Sequence, residues 1–141
     1  MQTIDQTTPI STTAIWTGRV MSGLVIAFLL LDAGMKLIPL DIVVETSAQL
    51  GLPAHLARPL GIILLICALL YALPKTSVLG AILLTGYLGG TVITHLRVGS
   101  PLFTHLLFGV YLGLLLWGGL YLRDPRVRAL IPLRRETSAP Q

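Results

Sequence analysis

The chain has 141 residues, of which 54% are hydrophobic and 11% charged, with a mean hydropathy of +0.83 and a formal net charge of +4. Soluble domains carry about 25% charged residues, so this composition cannot clothe a water-facing surface. It excludes a disordered chain and a coiled coil, and the single cysteine, Cys67, excludes a disulfide scaffold. An all-α integral membrane protein of one domain is left, with apolar length for four spans at about 20 residues each.

Residues 1–13 are polar, lack the order of a secretory signal, and read as a flexible tail. The first span is expected at 14–37, with Trp16 and Arg19 suited to an interface and Pro39 as its stop. The stretch from Asp41 to Leu50 is too short and too polar to cross; it reads as an interfacial or re-entrant segment closed by Gly51 and Pro53. The second span is expected at 56–73, with Pro59 in its first turn, and Ser77 is placed to cap the next helix. The third span is expected at 78–96. A turn at Arg97–Pro101 leads to the fourth at 102–122. Residues 123–141 form a basic tail broken by Pro125 and Pro132. Once these spans are accepted, lipid forces a four-transmembrane-helix bundle, because backbone polar groups cannot stay open there.

Four spans put both termini on one side. Arg19, Lys75, Arg123, Arg126, Arg128, Arg134 and Arg135 fall on that side, against Lys36, Arg58 and Arg97 on the other. The positive-inside rule then predicts cytoplasmic termini in a cell (inner) membrane, with Trp16, Trp117 and Tyr121 at the inner interface. The cations serve topology in this reading, and no nucleic-acid partner is expected.

The polar groups collect at the opposite, outer end. Asp32, Lys36, Asp41, Glu45, His55, Arg58, His95, Arg97 and His105 all fall there, while the inner half of every helix reads as almost purely aliphatic. An ionisable group within a span marks a functional-site candidate by default, and Asp32 is the sharpest; Lys36, four residues on, is its partner by spacing. The alternative is a plain ion pair at a helix end. Tyr87, Thr91 and His95 recur at intervals of four and make one polar stripe, fit either to bind a polar head group or relay a proton, or to hydrogen-bond a neighbouring helix. His95 and His105 flank one short loop. Haem or a metal would need further ligands or second-shell partners, and no third ligand is spaced for zinc, so no metal is assigned.

Gly86-x-x-x-Gly90 and Gly109-x-x-x-Gly113 read as small-residue faces that pack the bundle or form a homodimer. Cys67 reads as a buried, inert thiol. No phosphate loop, nucleophile elbow or paired HExxH motif occurs.

Several segments together resemble the DoxX-like family of small four-helix membrane proteins. They are Gly34-Met-Lys36-Leu through Gln49-Leu-Gly51-Leu-Pro53, Ala72-Leu-Pro74-Lys75-Thr76, Leu79-Gly80-Ala81, and Thr94-His95-Leu-Arg97-Val-Gly99, within a stretch from Ala33 to Leu122. Lys36, Gly61, Pro74, Gly80, His95 and Arg97 look like family positions. The resemblance implies a four-helix bundle and, for some relatives, a membrane subunit of a quinone-linked oxidoreductase acting on thiol or sulfur compounds. Relatives often carry an acidic residue shortly after the glycine matching Gly61. Here Ile62, Ile63, Leu64 and Leu65 follow, which leaves Asp32 as the comparable group.

Three readings stand at this level. The first is an accessory subunit that binds a small hydrophobic ligand, a lipid or a partner membrane protein at the outer leaflet. In the second, quinone-linked redox, His95 and Tyr87 bind the carbonyls of a quinone and Asp32 passes protons; Lys36 or Arg97 favours an anionic substrate, and a partner redox protein or small molecule supplies electrons. The third is a small transporter completed by oligomerisation. Asp32 and His95 are the catalytic candidates, and Lys36, Tyr87, Thr91, Arg97 and His105 the ligand-binding ones.

Overall fold

The computed structural model describes residues 9–38 and 40–131. Pro39, read above as a helix stop, lies outside the described residues, as do Pro132, Arg134 and Arg135. Among the described residues the chain is all-helical, with no strand. Helix α1 spans Thr12–Leu37, α2 Asp41–Gln49, α3 Ala57–Ala72, α4 Ser77–Arg97, α5 Phe108–Arg123 and α6 Pro125–Leu130. A 3₁₀ turn at Ala54–Leu56 leads into α3, and a π-helical turn at Leu102–Leu106 leads into α5.

With those turns included, four helices are long and apolar enough to cross a membrane: Thr12–Leu37, Ala54–Ala72, Ser77–Arg97 and Leu102–Arg123. Only 22–33% of each span's most apolar window is buried. The remaining apolar surface, including Leu24, Leu31, Ile66 and Leu114, faces outward on every side, as a bilayer requires and water would not tolerate. Each long helix packs on two neighbours, in the ring α1–α3–α4–α5 closed by α1. Val25, Leu29, Leu64, Leu84, Leu116 and Leu120 fill the centre.

The helices approach closely where glycine permits it. A Cβ at Gly18 would lie 2.7 Å from the carbonyl of Gly119, and one at Gly61 would lie 2.9 Å from Cβ of Lys36. At Gly80 it would collide with the backbone of Tyr71. The two small-residue faces read from the sequence are therefore corrected in part. Gly109 does pack tightly, against Thr91 and Leu88 of α4, but nothing lies within 4 Å of a Cβ at Gly86, Gly90 or Gly113. Helix rotation decides this, and an i, i+4 spacing alone does not encode it.

The half of the bundle read as almost purely aliphatic holds a buried polar network. The Tyr71 hydroxyl is 2.8 Å from the carbonyl of Leu116 and 3.0 Å from Ser22 Oγ. Arg123 Nε donates to Ser22 Oγ at 2.9 Å, its guanidinium lying 5.5 Å from the centre of the Tyr71 ring. The network links α1, α3 and α5, and no fully buried side-chain nitrogen or oxygen among the described residues lacks a partner, as burial in an apolar medium demands.

Two further readings change. Ser77 does not cap α4, since its hydroxyl donates back to the carbonyl of Pro74 at 3.2 Å. Pro125 opens α6 rather than breaking the chain: the Asp124 carboxylate accepts from the Arg126 amide at 2.9 Å, and proline occupies a first-turn position where no amide is missed.

Candidate functional site

The span limits place Asp32, Lys36, His95 and His105 at one end of the bundle, and α2 lies across that end with no buried residue of its own. A cavity of about 640 Å³ opens between α1, α4, the π-helical turn and α2. Its walls are mostly apolar, with Phe28, Leu29, Leu60 and Leu112 below and Ile42 and Val43 of α2 and its C-cap Leu50 above. Asp32, Lys36, Tyr87, Thr91, His95 and His105 all line it.

Each polar group is held by identifiable local structure. Lys36 Nζ and Asp32 Oδ1 pair along one face of α1, as their spacing predicts, with both side chains about a quarter exposed. Gly61 makes this placement possible, because any side chain there would push α3 away from Lys36. Thr91 donates its hydroxyl to the carbonyl of Leu88 at 2.7 Å, and Thr94, also in the wall, donates to Gly90 at 2.8 Å. With its hydrogen committed, each can only accept from a ligand. The half-buried Tyr87 hydroxyl has no hydrogen-bond partner among the described residues and can donate.

The histidines stand together, with ring centroids 5.9 Å apart. Nδ1 of His95 is 3.0 Å from Ser100 Oγ, and Nδ1 of His105 is 2.8 Å from Thr104 Oγ1. Those contacts fix the ring orientations and leave Nε2 of each ring for a ligand. The amide of Leu107 reaches back five residues to the carbonyl of Leu102 at 2.9 Å, and the resulting wide turn carries His105 beside α4. π-Helical turns of this kind gather at functional sites. Gly86 and Gly90 line the same cavity and give it room by having no side chain.

Arg97 is the one site candidate that does not line the cavity. Its guanidinium donates to the carbonyl of Leu50 at 2.8 Å, beside Gly51, whose φ of +66° turns the chain out of α2. It acts on the cover rather than on the contents. His55 stays in its 3₁₀ turn and, like Asp41, Glu45 and Arg58, lies outside the lining. None of Ile62, Ile63, Leu64 and Leu65 reaches the cavity, and Asp32 supplies its carboxylate. No group of three His, Cys, Asp or Glu side chains suited to a metal ion occurs among the described residues.

The architecture defines a small four-helix membrane protein with a covered, partly polar cavity at one end of the bundle. Residues 20–119 match the DoxX-like family, and the chain belongs to it. Comparisons with curated proteins and with solved structures gave no match.

Proposed function

We propose that this protein is an accessory membrane subunit that holds one small amphiphilic molecule, with an apolar body and a polar head, in the cavity beneath α2. The observation that carries this reading is the convergence of Asp32, Lys36, Tyr87, Thr91, His95 and His105 on one apolar-walled space of about 640 Å³. Small-molecule sites have this size and this mixture of apolar wall and few polar groups. Tyr87 and an imidazole N–H can donate to carbonyl oxygens on the head, and Thr91 accepts from a hydroxyl or amine.

A second reading is supported by the histidine pair: the ligand is a quinone, and the protein is the membrane subunit of a quinone-linked oxidoreductase. Nε2 of His95 and His105 and the Tyr87 hydroxyl would meet the ring carbonyls, and Asp32 would pass protons. Electrons would come from a partner protein or a thiol or sulfur substrate, since the chain carries no cofactor motif. A transporter draws less support, because the core between this cavity and the other end is filled by Leu64, Leu84 and Leu116. A homodimer through the glycine faces is likewise weakened by the place of Gly86 and Gly90 in the cavity wall.

We place the protein in the cell (inner) membrane with the α6 end cytoplasmic. Arg19, Lys75, Arg123, Arg126 and Arg128 at that end outnumber Lys36, Arg58 and Arg97 at the other. A reporter fused at the C-terminus is expected to read cytoplasmic; a reading on the other side overturns the orientation.

The ligand is tested by mass spectrometry of organic extracts from the wild type, Gly90→Leu and His95→Ala, all purified in mild detergent. A stoichiometric amphiphile lost in Gly90→Leu and reduced in His95→Ala is expected, and a quinone would decide for the second reading. Identical extracts from all three proteins would overturn the site.

A further inference from the structure

A second concavity of about 840 Å³ runs along the outer side of α4 and α5, meeting the wall of the covered cavity at Leu88 and Gly109. Gly89, Gly113 and Gly118 leave it open, and nothing comes within 4 Å of a Cβ at the first two. Two of its polar groups are internally paired: Trp117 Nε1 donates to Thr85 Oγ1 at 2.8 Å across the two helices, and the Thr85 hydroxyl donates to the carbonyl of Ala81 at 2.7 Å. Val127 of α6 and its C-cap Ile131 close its foot. From Gly109 to Tyr121 the groove follows twelve helical steps, about 18 Å at 1.5 Å each. A lipid chain in one leaflet spans about 15 Å, half of the hydrocarbon core.

The foot of the groove is cationic. Arg128 lies with its guanidinium 5.4 Å from the centre of the Tyr121 ring, which lines the groove. Its hydrogen bonds run to the carbonyls of Tyr121 at 2.8 Å and Leu122 at 3.3 Å, which hold it there without neutralising its charge.

We propose that this groove is a binding site for an anionic glycerophospholipid, with one acyl chain lying along Gly113 and Trp117 and the phosphate at Arg128. A second copy of the chain suits the surface poorly. A two-fold contact sets the same patch against itself. Copies inserted in the same direction would then meet concave face to concave face, with Arg128 facing Arg128 at equal depth.

The test uses the full chain carrying Trp16→Phe, so that Trp117 is the sole tryptophan, in phosphatidylcholine nanodiscs. Trp117 emission is followed as a minor fraction of brominated phosphatidylglycerol or brominated phosphatidylcholine is introduced. Quenching per brominated lipid is expected to be about fivefold greater for phosphatidylglycerol, the enrichment that one cation near an anionic head group gives. Arg128→Gln should abolish that difference and Arg128→Lys should keep most of it. Gly113→Leu should weaken quenching by both lipids. Gly23→Leu, on an open stretch of α1, should change nothing. Equal quenching by the two lipids in the parent protein would overturn the site. So would weak quenching by both accompanied by a dimer in sedimentation.

Discussion

Arg97, at the last residue of α4, holds the backbone carbonyl of Leu50 at the end of α2 with a 2.8 Å hydrogen bond. The two residues are far apart in sequence, and their contact ties the cover of the cavity to its wall. Helix α2 has no buried residue and few other attachments, so its position depends on such contacts. Arg97→Ala is expected to speed amide hydrogen exchange across residues 43–52 and leave α1, α3 and α5 unchanged. Exchange unaltered in α2 would show that the cover is held by other means.

The buried network around Tyr71 predicts a stability effect at the other end. Tyr71→Phe removes one hydroxyl that serves both Ser22 and the carbonyl of Leu116. Inter-helix hydrogen bonds in membrane proteins contribute up to about 1.7 kcal/mol, and a loss of about 1 kcal/mol is expected here. Unfolding in mixed micelles measures it; no change would mean that the network is not formed in lipid.

Glycines divide into two groups with opposite expectations. Gly80→Ala forces a methyl group into the backbone of Tyr71 and should destabilise the fold by about 1–3 kcal/mol, as overpacking does. Gly86→Ala adds the same atom where nothing lies within 4 Å and should leave stability unaltered. Thermal midpoints in detergent compare the two, and equal effects would contradict the helix rotations described.

Helix α6 carries the pH dependence outside the membrane. The hydrogen bond from the Arg126 side chain holds the Asp124 carboxyl below the ordinary carboxylate range, against an opposing effect of burial. A carboxylate depressed in the folded state contributes stability above its unfolded pKa of about 3.9 and loses it as the pH falls through the lower folded value. Docking of α6 should therefore hold at neutral pH and weaken in acid below about pH 4. Asp124→Ala should cost about 1 kcal/mol at pH 7 through the lost cap. Asp124→Asn should keep the cap and flatten the pH dependence. Protease sensitivity near residue 125 reports both, and an Asn variant with wild-type acid sensitivity would remove Asp124 from the explanation.

The sequence carried most of the architecture because lipid leaves few alternatives. The spans expected at 14–37, 56–73, 78–96 and 102–122 differ from those observed by two residues or fewer at each end. The Asp32–Lys36 pair and the Tyr87–Thr91–His95 stripe were legible because i, i+4 geometry is local. What escaped depends on distant residues or on helix rotation. Ser22, Tyr71 and Arg123 look unrelated until three helices meet, and nothing in Gly86-x-x-x-Gly90 says that it faces a cavity. Arg97 reads as a binding cation until the turn at Gly51 brings Leu50 within its reach. Asp124-Pro125 did carry a helix-start signal, a capping carboxylate before a first-turn proline.

Native mass spectrometry of the protein released from mild detergent tests the central claim most directly, because it resolves the covered cavity from the lateral groove. The wild type is expected to carry one small-molecule adduct distinct from phospholipid. Gly90→Leu, which fills the cavity, should lose that adduct and keep bound phospholipid; Gly113→Leu, which fills the groove, should do the reverse. A small-molecule adduct that survives Gly90→Leu, or a wild type that carries phospholipid alone, would contradict a ligand site beneath α2.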